Sequence, residues 1–313
     1  MGKKLFFFIK AVFVLLFFSL FSCIKESYGI ASAQGLSLAD INIPVYQTWN
    51  SLGEMLYRKP DLQLTDYRLY HPLQNAESGG FFPWAGIVSH HILAHDYIDA
   101  WFSRLSQLRD IKTFFIISPD HYGLSLQDFS LTVGSWDSGF GLVESEREKV
   151  MEISFAPGAA LDPNVFYAEH GVSSLMPYIK KYFPDAKAAA VVVRSESEVN
   201  TKTAGMLADI LEKEFDDNGK KSNFLLISSD FSHNEGIEKT ALNDNQSLRY
   251  LKNEEGSFWN MVICDNRFGV CVLDRIGKNN MESFVYLHSN SFEISGINYD
   301  ITSYFFVYFA DRM

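Results

Sequence analysis

The chain has 313 residues, 47% hydrophobic and 21% charged, which is enough to bury one large core or two small ones. Its formal charge is −11 at pH 7. That balance excludes nucleic-acid binding as a first reading, because such proteins present a basic face.

The N-terminus reads as an export signal. Met1-Gly2-Lys3-Lys4 is a short basic start, and Leu5 to Phe21 carries Lys10 as its only charge. Leu20-Phe21-Ser22-Cys23 resembles a bacterial lipobox, which makes Cys23 the expected lipidation site after removal of residues 1–22. The alternatives are ordinary secretion, with cleavage after Ala31-Ser32-Ala33, and an uncleaved N-terminal anchor. The expected location is therefore the cell envelope, with the membrane as partner through a lipid anchor. Residues 23–75 are polar and mixed, and are read as a tether and an N-terminal wrap. Residues 76–313 form the expected domain.

From Phe81 onward short apolar runs alternate with helical patterns. The runs are Ala85–Val88, Thr113–Ile117, Ala188–Val193 and Phe224–Ile227, with Ile301–Phe309 as a longer final strand. Between them Tyr97–Leu108 places Ile98, Trp101, Phe102, Leu105 and Leu108 on one helical face, and Leu207, Ile210, Leu211 and Phe215 repeat the pattern. Alternating strands and amphipathic helices predict an α/β three-layer sandwich with a mainly parallel central sheet. The glycine-rich "GSWDSGFG", 134–141, lacks the Lys-Ser/Thr ending of a phosphate loop and predicts a hairpin.

Three of these runs end in polar clusters that carry histidine: Ser89-His90-His91, Ser118-Pro119-Asp120-His121 and Ser228-Ser229-Asp230-Phe231-Ser232-His233. In open parallel sheets, ligands bind beyond the carboxyl ends of the strands. Imidazoles from separate strand ends can therefore converge on one metal ion. Two histidines with one anionic ligand suit non-haem Fe(II) or catalytic Zn(II). The anion is either the Cys264 thiolate or the Glu169 carboxylate. Asp230 is placed either to orient His233 or to cap a following helix. Glu169-His170 is a further polar pair, before a helical pattern at Val172–Phe183. His91 and His95 stand four apart without an intervening Glu and are read as packing residues. Ser229 and Ser232 lie beside His233, but no Gly-x-Ser-x-Gly elbow supports a serine nucleophile. Cys264 and Cys271 are either a disulfide pair, as an oxidising compartment allows, or free thiols.

The ordered set of motifs resembles the Memo family, also called AmmeMemoRadiSam system protein B. "GIVSHH" is similar to that family's "IVPHAGY", "FFIISPDHYG" to "ILGPSHH", "EHGVSSLMPYI" to "EHSIEVQLPFL", and "LLISSDFSHNEG" to "SSDFSHY". "ICDNRFGVCVL" is a looser match to the family's Cys-Gly segment, with Asp265 where glycine is usual. The resemblance implies a fold like that of class III extradiol dioxygenases. It also implies a metal site of His90, His121 and Cys264 with His233 adjacent. On that reading His233, Asp230, Glu169 and His170 are the catalytic candidates. Fe(II) is the expected ion, with Zn or Cu as alternatives, and the partner is a small-molecule or peptide ligand. Ser173 stands where the family has a second acid, which favours a non-catalytic binding module as the alternative.

Overall fold

The apolar runs become the strands of one large sheet, and their alternation decides which layer each side chain joins. The computed structural model describes residues 43–48, 81–194, 198–278 and 280–312. The expected signal segment, Cys23 and most of the expected tether lie outside them. The strands are β1 Val45–Gln47, β2 Ala85–Val88, β3 Thr113–Pro119, β4 Phe129–Leu131, β5 Ser135–Asp137 and β6 Leu142–Val143. They continue with β7 Ala159–Leu161, β8 Lys187–Val193, β9 Asn223–Ser228, β10 Phe231–Glu235, β11 Met281–Asn290 and β12 Ile301–Asp311.

The main sheet runs β10-β12-β2-β9-β3-β8-β4-β7, and β11 also pairs with β12. Its centre is parallel: β2 with β9, β9 with β3 and β3 with β8. The wings are antiparallel, through β12 on β2 and β4 on β8. This is the predicted mainly parallel sheet. Four strands buried along nearly their whole length account for its Val-, Ile- and Ala-rich runs. The glycine-rich 134–141 stretch joins β5 to β6 in an antiparallel hairpin, as its composition predicts. β1, in the segment read as a wrap, adds in parallel to β5.

Side chains alternate across the sheet with period two, so each strand feeds two cores. Ile87, Phe115, Ile117, Val191, Leu225, Ile227 and Val307 face one layer, which holds the helices Thr201–Leu211 and Arg267–Gly277. Val88, Phe114, Ile116, Val192, Leu226, Phe306 and Tyr308 face the other, beneath the helices His95–Leu108 and Met176–Tyr182. On His95–Leu108 the residues Ile98, Trp101, Phe102 and Leu105 are buried, as their spacing requires. Trp101 stacks on Tyr308 at 4.9 Å, and the Tyr308 hydroxyl donates to the Trp101 carbonyl at 2.8 Å. The indole passes over Gly86 of β2. A Cβ there would stand 2.5 Å from Trp101 Cζ2 and 2.8 Å from the Val307 carbonyl oxygen.

Two local expectations change. The Val172–Phe183 pattern divides into short helices, His170–Ser173 and Met176–Tyr182, with Pro177 in the first turn of the second. The segment after Asp230 is strand β10, antiparallel to β12, and the next helix begins only at Ile237. Asp230 is therefore not a helix cap. No helix among the described residues is long and apolar enough to cross a membrane.

Candidate metal centre

β2, β9 and β3 are adjacent in the sheet, so their carboxyl ends deliver Ser89-His90, Ser229-Asp230 and Asp120-His121 to one edge. His170 arrives from the short helix beside β3, and His233 from β10. The rings crowd together. His90 and His121 have centroids 4.6 Å apart, His121 and His170 4.0 Å, and His90 and His170 5.4 Å.

Their ligating atoms fall into two groups, each within 4.8 Å: His90, His121 and His170, and His90, Asp230 and Asp265. Asp265 joins the rings. Its Oδ2 lies 3.4 Å from His90 Nε2, 3.5 Å from His121 Nε2 and 3.6 Å from His233 Nε2. Its other oxygen is already committed, accepting the Ser229 hydroxyl at 2.8 Å and the Asp230 amide at 3.1 Å. Oδ2 is buried with no hydrogen-bond partner, and so is His121 Nε2.

The neighbouring bonds decide which ring nitrogens carry protons. The Ser228 hydroxyl donates its single proton to the Gly171 carbonyl at 2.6 Å, so toward His90 it can only accept. His90 Nδ1–H therefore donates to Ser228 Oγ at 2.9 Å, which leaves the Nε2 lone pair facing Asp265. His121 Nδ1–H donates to Glu169 Oε1 at 2.7 Å, and the His121 amide donates to Oε2 at 2.9 Å. Its Nε2 likewise points at the centre. An imidazole whose outer nitrogen is held by a carboxylate or hydroxyl is the usual support of a metal-ligating histidine.

Two lone pairs and an anionic oxygen facing one point repel unless positive charge sits between them. The titration behaviour reports the same demand. Burial lowers the His121 pKa, but the negative charges of Asp265 and Glu169 and the hydrogen bond from Nδ1 to Glu169 override it and hold the ring up at about 10. His233 is raised, against burial, mainly by Asp265. Asp265 is held well below the usual carboxylate range, although burial opposes this, by His121 and His233. His170 is pushed down to about 4 by burial and by the neighbouring imidazoles. A divalent cation satisfies the same need. Donor atoms about 2.0–2.2 Å from an ion in tetrahedral array sit about 3.3–3.6 Å apart, the spacing seen around Asp265 Oδ2. The donor set fits a metal.

The predicted residues divide as follows. His90 and His121 meet at the centre, and His170 lies against both. His233 stands at the rim, 38% exposed, with Asp265 rather than Asp230 as its carboxylate. Asp230 accepts from the Ser89 hydroxyl at 2.5 Å and faces His90 at 3.6 Å. Glu169 orients His121 and caps the helix at Gly171 through a 2.6 Å bond. Cys264 lies in neither ligand group among the described residues. Its thiol stands beside the Ser229 hydroxyl, pushed up to about 12 by burial and by the charge of Asp265. Neither Cys264 nor Cys271 is in a disulfide. His91 bonds the Tyr304 hydroxyl at 2.5 Å and His95 pairs with Asp96, in keeping with packing roles.

The sequence motifs do not single out Asp265, Ser228 or Asn266 for these roles. Cys264 bridges antiparallel to Phe231. Asp265 opens the turn that follows this bridge, and its carboxylate reaches the rings while the Cys264 thiol stands beside Ser229. Asn266 fixes that choice. Its amide donates to the carbonyls of Ile117 and Ser228 at 2.8 and 2.9 Å, and its oxygen accepts from Gly269, capping the helix Arg267–Gly277.

A histidine and carboxylate cluster at the carboxyl edge of a mixed α/β sheet defines the class, a candidate metal-binding α/β protein. The family described as Memo-like protein matches residues 82–294, and the chain belongs to it. Among its relatives is a MEMO1 family protein of Pyrobaculum aerophilum, 29% identical over 184 residues, covering 58% of this chain and 62% of the relative. Another, from Caldivirga maquilingensis, is 26% identical over 185 residues with the same coverage of each chain. A third, from Sulfurisphaera tokodaii, is 26% identical over 210 residues, covering 64% of this chain and 72% of the relative. The match thus spans less than two thirds of the length of the first two relatives.

Proposed function

We propose that this chain is a metal-dependent redox enzyme of the Memo and extradiol-dioxygenase type, with non-haem Fe(II) held by His90, His121 and Asp265. The observation that carries the reading is the convergence of three Nε2 atoms on Asp265 Oδ2 at 3.4–3.6 Å. Two histidines and a carboxylate, with further positions open, suit Fe(II), and Zn(II) accepts the same donors. With the thiol outside the ligand groups, the case for copper weakens. When bound, Fe(II) would supply Lewis acidity and a one-electron couple, whereas Zn(II) would supply Lewis acidity alone.

The protein's own groups supply the rest. Glu169 and Ser228 keep the outer ring nitrogens protonated and the inner ones available. His233, half open to solvent and poised by Asp265, takes a proton at its rim from an incoming hydroxyl group. His170, kept neutral, packs against both rings.

The test is anaerobic iron loading followed by oxygen uptake with catechols. Uptake that depends on iron, and that falls at least about a hundredfold in His233→Ala, is the expected result. Tight metal binding without uptake favours the alternative, a module that holds metal or peptide without turnover. Ser173 bears on that alternative, since it is buried against the Glu169 carbonyl where the family has an acid.

The reading extends to location. The basic start, the apolar run and Cys23 support an exported, lipid-anchored protein of the envelope. Acyl labelling of the expressed chain should disappear in Cys23→Ser. Label that persists would remove the anchor.

A further inference from the structure

Asp230 caps no helix, and the carboxylate beside His233 is that of Asp265. Its own carboxylate is nevertheless buried and held in place. Ser89, wholly buried at the end of β2, accepts the His91 amide at 3.1 Å and donates its proton to Asp230 Oδ1 at 2.5 Å. The main chain adds a second restraint. The Asp230 amide donates to Asp265 Oδ1 at 3.1 Å, and the Asp265 amide donates to the Asp230 carbonyl at 3.0 Å.

These bonds aim both carboxylates at one ring. Asp265 Oδ2 and Asp230 Oδ2 stand 3.4 and 3.6 Å from His90 Nε2, the nitrogen whose lone pair is left open. The three donors lie within 4.8 Å of one another. Two carboxylates and a lone pair brought this close, away from water, are stable when a cation lies among them. The 3.6 Å approach of Asp230 matches the donor spacing around one ion.

We infer that Asp230 is a second carboxylate ligand of the metal centre, beside His90, His121 and Asp265, and that Ser89 is its positioning residue. This assignment rests on the metal-centre reading and deepens it by naming what selects the ion. Four protein donors of this kind leave two positions of an octahedral ion open, which suits Fe(II). Zn(II) reaches four-coordination with His90, His121, Asp265 and one water, and so gains less from Asp230. Asp230 therefore favours iron over zinc.

The experiment uses the full chain, stripped with chelator and reloaded anaerobically with equal amounts of Fe(II) and Zn(II), both then counted by elemental analysis. Asp230→Ala should lower the iron-to-zinc ratio at least about tenfold, and Ser89→Ala should lower it in the same direction. Co(II) loaded alone reports the coordination number. Its visible absorption should strengthen in both variants as the donor count falls toward four, a change that a merely structural role would not produce. An unchanged ratio and an unchanged Co(II) spectrum in Asp230→Ala would overturn the ligand assignment and leave the centre of His90, His121 and Asp265 standing. If Asp230→Ala does not fold, Asp230→Asn, which keeps the shape and removes the charge, carries the same outcomes. A wild-type Co(II) spectrum in Ser89→Ala would overturn the positioning role. A wild-type protein that takes up neither ion defeats the metal centre and this ligand with it.

Discussion

Asp265→Ala, purified without chelator, is expected to carry less than about a tenth of the wild-type metal, and His121→Ala to do the same, while Cys264→Ser keeps full occupancy. The expectation rests on which atoms face the centre. Asp265 Oδ2 has three imidazole nitrogens around it and no hydrogen-bond donor, whereas Cys264 belongs to neither ligand group. Asp265→Asn separates charge from shape. It keeps an oxygen in place but removes the anion that balances the ion, and should weaken binding at least about tenfold. Glu169→Gln probes the support of His121. The amide can still accept at one atom, but it cannot accept from both Nδ1–H and the His121 amide, and affinity should fall about 10–100-fold. Elemental analysis of the purified variants checks all of these. Full occupancy in Asp265→Ala, or loss in Cys264→Ser, would return the ligand role to sulfur.

The second large effect concerns the core. Gly86→Val should fail to give folded protein, and Trp101→Ala should lose about 3–5 kcal/mol of stability in denaturant unfolding. Trp101 is wholly buried and stacked on Tyr308, so its truncation leaves a cavity between helix and sheet. At Gly86 the obstacle is double. A Cβ at that position would meet the indole at 2.5 Å and the Val307 carbonyl oxygen at 2.8 Å. Combining the two substitutions should therefore not restore folding, because the carbonyl belongs to the neighbouring strand β12 and cannot withdraw without breaking the ladder. A cooperative, near-wild-type melt of Gly86→Val would contradict this packing.

Much of this was legible in the residues themselves. Continuous apolar runs marked β2, β3, β8 and β9, because strands buried on both faces need no polar alternation. The polar cluster closing three of them pointed to the sheet edge, and His90 and His121 followed. The rest depended on orientation, which composition does not carry. Cys264 and Asp265 are adjacent, and which one turns inward depends on the bridge at Cys264 together with the turn held by Asn266. The Asn266 cap was the available signal, since Asn before an apolar helical pattern marks where the extended segment must end. The stretch after Asp230 illustrates the opposite failure. "FSHNE" has weak strand character, and it is strand because β12 offers an antiparallel edge, a tertiary effect.

Gly171 links these features. Its amide engages Glu169, its carbonyl takes the Ser228 proton, and any Cβ would run into Ser118 Oγ and press on the His121 ring. A single residue, through the two peptide units it joins, therefore takes part in two proton chains, one ending on His121 and the other on His90. Main-chain atoms of one residue thus help write the tautomers of both rings, and bulk at this residue would disturb them together.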